Sequence, residues 1–303
     1  MNAFKSPEGR NEIGKACRKL YSECPIPAES RFLDTVEFGK THVLTAGKPE
    51  SPPLLLLHGT SVNAASWFSY FPDLAKDFHI FALDIPGQPG LSGESRPRLA
   101  DGSMSRWLET VKAELGLEKF HLCGMSMGSW ISLDYGLKHP DSILGMCVLA
   151  PGGLAQFRIS FFLKSFLPSL QGNSGILKMN RLVHGKVPVL PEFDSFAILI
   201  SRHFRPLAER IPIFPDKAVK GINFPLLYIG GIEDPLLNTR KSAGRLRRLL
   251  PDAQIRELDG IAHVILDESP AIRAFLTGIP GNSTQSSTNS QSTSTSAVGP
   301  ATE

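Results

Sequence analysis

Gly124-Met125-Ser126-Met127-Gly128 sets one serine between two glycines, directly after the apolar run Phe120-His121-Leu122-Cys123 and before a helix-like segment. A serine hydroxyl is a poor nucleophile at neutral pH. To attack an acyl carbon it needs a base to take its proton, an acid to orient that base, and donors to receive the oxyanion. A strand–turn–helix setting exposes the serine on a strained turn, and the flanking glycines relieve crowding where strand and helix come close. The plainer alternative is a serine that only caps the following helix. The apolar run leading into the turn favours Ser126 as the nucleophile.

The base must come later in the chain. Of eight histidines, His42, His79 and His121 fall within or beside expected strands, His139 ends a helix, and His184 and His203 lie in an irregular middle region. That leaves His263, in Asp259-Gly260-Ile261-Ala262-His263, on a loop after the strand-like Gln254 to Leu258. Such a loop can carry a general base to the nucleophile. The acid is expected after the apolar run Phe224 to Ile229, which ends in Gly230-Gly231-Ile232-Glu233-Asp234-Pro235. Asp234 is preferred because the following proline fixes the turn, and Glu233 is its rival. Either could instead be a solvated turn carboxylate.

For the oxyanion, Met127 offers a backbone N–H at the start of the helix. The second donor should come from the loop after an earlier buried strand, where His58-Gly59-Thr60 stands. Thr60 N–H is the choice. His58 itself reads as a buried imidazole bracing that loop, because a base so early would break the order nucleophile, acid, base.

These residues need a frame. Arg31 to Phe38 and Thr41 to Ala46 predict a β-hairpin around Gly39-Lys40. Pro53 to Leu57, Phe78 to Ile85, Phe120 to Cys123, Ile143 to Ala150 and Phe224 to Ile229 are continuous apolar runs, as in strands buried on both faces. Ala100 to Leu115 and Ser129 to Lys138 carry helix-spaced apolar positions, and another helix is expected from about Ser269. Alternation of this kind argues for a mostly parallel sheet covered by helices. From about 152 to 220 the rhythm breaks into amphipathic pieces such as Phe157 to Leu167. A cap inserted over the sheet competes there with a membrane-touching face, and the cap is favoured. Four phenylalanines (Phe157, Phe161, Phe162 and Phe166) would suit an apolar acyl or alcohol group, although such residues more often pack helices together.

The chain divides into an N-terminal helical extension (1–30), a main domain (31–278) and a Ser/Thr/Asn-rich tail (279–303) expected to be disordered. With 303 residues and 42% hydrophobic content the core is ample, and a net charge of +3 gives no reason to invoke nucleic acid. Cys17, Cys24, Cys123 and Cys147 show no metal-like spacing, and the latter two read as core residues. No apolar run reaches the ~20 residues of a membrane span, and the polar start lacks an apolar leader. A soluble, cytoplasmic protein is expected. No metal or organic cofactor is implied, the partner is a small ester-like molecule, and the oligomeric state is left open.

His58-Gly59-Thr60, Asp84-Ile85-Pro86-Gly87, the Ser126 pentapeptide, Gly231-Ile232-Glu233-Asp234-Pro235 and Gly260-Ile261-Ala262-His263 follow one another over about residues 31 to 276. In this the chain resembles the α/β-hydrolase superfamily. Phe4-Lys5-Ser6-Pro7-Glu8-Gly9 and Pro27-Ala28-Glu29-Ser30-Arg31 further resemble a bacillus-type carboxylesterase-like branch. The resemblance implies an eight-stranded sheet, a helical cap, a Ser126–Asp234–His263 triad, and an oxyanion hole from Thr60 and Met127. Two departures stand out: Ser129 where relatives often have a second glycine, and a longer loop from Gly87 to Ser95. Both are expected at the rim of the site, where they would alter the pocket. Ester hydrolysis through an acyl group on Ser126 leads, with C–C bond hydrolysis, perhydrolysis or non-catalytic ligand binding on the same fold as alternatives.

Overall fold

The computed structural model describes residues 2–161, 168, 171–207 and 209–280. The strands are β1 (Ala28–Asp34), β2 (Lys40–Ala46), β3 (Pro53–Leu57), β4 (His79–Leu83), β5 (Phe120–Met125), β6 (Ile143–Leu149), β7 (Leu226–Gly231) and β8 (Gln254–Leu258). The helices are α1 (Pro7–Ser22), α2 (Phe71–Leu74), α3 (Ser103–Glu114), α4 (Met127–Lys138), α5 (Gly172–His184), α6 (Pro191–His203), α7 (Asp216–Lys220), α8 (Thr239–Leu249) and α9 (Ser269–Thr277).

The strands form one sheet in the order β1-β2-β4-β3-β5-β6-β7-β8. β1 and β2 pair antiparallel, as do β2 and β4, and every pairing from β4 through β3 to β8 is parallel. Parallel strands bury both faces, and the four leucines of β3 show how. Leu55 and Leu57 enter one core cluster with Leu122 and Val148, where Trp107 and Val111 of α3, Ile131 of α4 and Leu246 of α8 pack. Leu54 and Leu56 point the other way, into a cluster with Cys123 and Cys147, Ile13 of α1, Phe71 of α2 and Ile272 of α9. All four leucines are wholly buried. Each contributes about 1.5–3 kcal/mol through the water it excludes, so an aspartate at Leu56 would break the layer it serves.

The hairpin is shorter than its apolar pattern. β1 stops at Asp34, whose side chain takes the Val36 N–H, and a single 3-10 turn over Val36–Phe38 leads to Gly39. The sheet takes up the chain from Ala28, three residues inside the expected extension, and α1 fills most of that extension. At the other end, Ile279 packs against the core and does not begin a tail. The expected tail beyond residue 280 lies outside the described residues.

Between β6 and β7 the chain lays down α5, α6 and α7. Asn180 of α5 donates to Asp194 of α6, and Ile200 and Phe204 carry α6 into the cluster shared with α1. Residues 3–5 run beside 203–205, with Lys5 N–H donating to His203 O and Arg205 N–H to Ala3 O. Among the described residues no helix is long and apolar enough to cross a membrane.

Candidate active site

Ser126 sits between β5 and α4, as the cap residue of that helix, with φ +52° and ψ −109°. A side chain pays about 1–3 kcal/mol for such a conformation, so the surroundings must hold it. They do so through the Ser126 N–H, which donates to Leu149 O at the end of β6. The two glycines are there for space. A Cβ on Gly124 would lie 2.5 Å from the Gly128 backbone, and one on Gly128 would lie 2.2 Å from Leu57 O. The turn therefore closes only with glycine at both positions.

His263 and Asp234 meet this serine. His263 Nε2 lies 3.1 Å from Ser126 Oγ, and His263 Nδ1 lies 2.7 Å from Asp234 Oδ2. The Asp234 side chain is wholly buried, while that of His263 keeps a small exposed edge. Asp234 Oδ1 accepts the N–H groups of Leu236 and Leu237 at 2.7 and 2.9 Å, so the carboxylate is fixed from both sides. Asp234 Oδ2 accepts the hydrogen bond of Nδ1–H, leaving Nε2 to accept from the serine hydroxyl. Glu233 is turned elsewhere: its half-exposed carboxylate lies 3.8 Å from Lys186 Nζ, and its backbone N–H donates to Ile261 O.

Met127 is the first residue of α4, and its N–H is one of the four that a helix start leaves without an internal partner. The Thr60 loop lies alongside, since a Cβ on Gly59 would come within 3.4 Å of Ser126 Cβ. His58 is wholly buried behind it. Its Nε2 accepts the Ile85 N–H at 3.0 Å and its Nδ1 donates to Gly59 O at 2.7 Å, which ties the loop to β4. Burial lowers the His58 pKa, against the pull of the Asp84 charge and the Gly59 carbonyl, so it stays neutral in its bracing role.

The two departures are not rim features. Ser129 is wholly buried; its hydroxyl reaches Gly124 O at 2.6 Å and Leu149 O at 2.9 Å, and accepts the Leu149 N–H at 3.1 Å. It stitches the ends of β5 and β6 to α4 beneath the site. Residues 87–92 are largely buried too. Arg10 donates to the carbonyls of Gly90, Leu91 and Ser92, and Asp84 accepts the Leu91 N–H. This loop reaches the site only through Gln88, whose Oε1 accepts the Ser61 N–H at 2.9 Å. Of the four phenylalanines, Phe157 packs half-buried into the core cluster and bridges Leu237, whereas Phe162 and Phe166 lie outside the described residues.

Two contacts were invisible in the pattern of side chains. Arg158 donates its backbone N–H to Leu236 O and its Nε to Leu237 O, beside Asp234. Val183 O accepts the N–H groups of His263 and Val264. The insertion thus grips, near its start and again at the end of α5, the loops that carry Asp234 and His263. Backbone bonds of this kind leave no residue-type signal; the nearest is Gly185, a left-handed glycine (φ +61°) closing α5.

The family model described as alpha/beta hydrolase fold matches residues 52–167. Strands β3 to β6 and the strand–Ser126–α4 turn fall within that match. The chain has the α/β-hydrolase fold. Carboxylesterase YbfK of Bacillus subtilis is 26% identical over 88% of this chain and 92% of its own length. The uncharacterized carboxylesterase nap of the same organism is 25% identical over 81% and 84%. The crystal structure of the Bacillus subtilis carboxylesterase CesB (YbfK) superposes with a TM-score of 0.80 at 24% identity, over 89% of this chain and 99% of that one.

Proposed function

We propose that the chain is a serine carboxylesterase that cleaves small or medium carboxylic esters through an acyl group on Ser126. The observation that carries this reading is the Asp234–His263–Ser126 relay, with contacts of 2.7 and 3.1 Å. Its resemblance to the Bacillus carboxylesterases supports the same class.

Ser126 Oγ attacks the ester carbonyl while His263 Nε2 takes its proton. The oxyanion forms against the N–H groups of Met127 and Thr60. Asp234 holds the imidazole and stabilises its cation. His263 then protonates the departing alcohol, and a water activated by the same nitrogen releases the acid. Four free thiols fit a reducing compartment, and the reading places the protein in the cytoplasm.

Turnover of a short p-nitrophenyl ester by the wild type and by Ser126→Ala tests this. A loss of about 10⁴-fold or more is expected from removing a nucleophile that acts as part of a unit. Near-wild-type turnover by the variant would sink the assignment. A panel of diketones beside the esters separates C–C bond hydrolysis, and absence of fluorophosphonate labelling at Ser126 in folded protein would point to ligand binding without catalysis.

A further inference from the structure

Ser30, His42 and Asp84 form a second serine–imidazole–carboxylate array. Ser30 Oγ lies 2.7 Å from His42 Nε2, and His42 Nδ1 lies 2.9 Å from Asp84 Oδ2. Ser30 stands exposed on β1, the edge strand, while the side chains of His42 and Asp84 are wholly buried. β1 is four strands from β5, about 19 Å at ordinary strand spacing, so this array is separate from Ser126.

Its protons are fixed by the surroundings. Asp84 accepts the Tyr21 hydroxyl on both oxygens and the N–H groups of Ala64 and Leu91. Burial would push its carboxyl up, but the hydrogen bonds from His42 and the Leu91 N–H hold it below the ordinary carboxylate range. Asp84 is therefore ionised at neutral pH and accepts a hydrogen bond from His42 Nδ1–H. That leaves a lone pair on Nε2, and the Ser30 hydroxyl donates to it. The ring is held in place, stacked on Tyr21 at 5.0 Å and flanked by Phe32 at 5.2 Å. Phe32, two residues along the same strand face, is half-exposed and lines a cavity of about 290 Å³ with Arg10, Arg18 and Leu91.

We propose that Ser30 is a second acyl acceptor, an activated serine on the sheet edge that takes acyl groups from reactive carboxylic esters independently of Ser126. Ser30 Oγ forms a bond to the carbonyl carbon as its proton passes to His42 Nε2. The ester C–O bond breaks, the leaving alcohol or phenol takes that proton, and O-acyl-Ser30 remains. Asp84 stabilises the imidazolium between the two transfers.

The test uses the full chain carrying Ser126→Ala, so that it stands whatever Ser126 does. Treatment with p-nitrophenyl acetate should release a burst of about one equivalent of nitrophenol, and peptide mass spectrometry should place the acetyl group on Ser30. A fluorophosphonate should label the same residue at least ~10-fold faster than any other hydroxyl. Adding Ser30→Ala, checked for folding by circular dichroism, should remove both signals. His42→Gln, checked for folding by circular dichroism, should slow them by a similar factor. No adduct at Ser30, or adducts spread evenly over exposed serines and tyrosines, overturns the proposal.

Discussion

The backbone N–H of His263 donates to the carbonyl of Val183 at 3.1 Å, and that of Val264 shares the same acceptor. Val183 lies in the last turn of α5, where carbonyls have no partner within the helix. The loop carrying His263 therefore caps a helix of the inserted region, and movement of one must move the other. An isolated bridge between Gly185 and Ile261 extends the contact.

Gly185→Ala tests that coupling. The residue has φ +61°, and an added Cβ would come within 2.7 Å of the Ala262 Cβ. The strain is about 1 kcal/mol, and the clash falls one residue from His263. We expect kcat to drop about tenfold with KM nearly unchanged, because a misplaced base impairs the chemical step more than binding. Steady-state kinetics on a p-nitrophenyl ester, with a thermal melt as control, reads this directly. An unchanged kcat would mean that the contact is only structural.

The two neighbouring carboxylates should behave oppositely. Asp234 reaches His263 Nδ1 at 2.7 Å, while Glu233 pairs with Lys186 at the surface. Asp234→Asn should lower kcat about 10⁴-fold by holding the imidazole in the wrong tautomer. Glu233→Gln should leave it within about threefold, since an exposed pair contributes under about 1 kcal/mol. A comparable loss in both variants would return the acid role to the pair.

The strands and the order of the site residues were legible because buried parallel strands write themselves as apolar runs, as in Leu54 to Leu57. The turn at Ser126 was legible because only glycine fits at 124 and 128. Ser129 and the Gly87–Ser95 loop were misplaced to the rim. A serine buried with three backbone bonds looks, as letters, like one facing water. Arg158 and Val183 were invisible because their part in the site runs through backbone atoms, which every residue carries. The Ser30 array was missed for another reason. It joins β1, β2 and the end of β4, and strand register was unknown until the sheet was seen.

Ser129→Ala separates stability from chemistry. Removing the hydroxyl leaves the carbonyls of Gly124 and Leu149 and the Leu149 N–H without that partner. The cost should be about 1–3 kcal/mol, the desolvation of buried polar groups left unpaired. Urea denaturation should show the midpoint shift, whereas kcat per folded molecule should stay within about threefold. A large fall in kcat at unchanged stability would place Ser129 in the chemistry after all.

Asp84 predicts how the fold fails in acid. Its folded pKa of about 2 lies below the ordinary 3.8, so the unfolded chain binds the proton more readily. The stability it contributes is fully present above pH 3.8 and is lost as pH falls through about 2. The whole contribution is about 2 kcal/mol, and about 1 kcal/mol of it is gone by pH 3. His58 acts earlier and with the same sign. Burial holds its folded pKa below 6.5, so the unfolded chain gains a proton, and stability is lost, as pH drops below that value. Asp84→Asn should weaken the protein at pH 7 because Tyr21, His42, Ala64 and Leu91 lose a carboxylate partner. It should also remove one acid-sensitive group. Urea midpoints of the two proteins should therefore converge by about 1 kcal/mol between pH 5 and pH 3, while the decline below pH 6.5 persists in both. If the gap stays constant across that range, Asp84 is not the carboxylate that the fold keeps ionised.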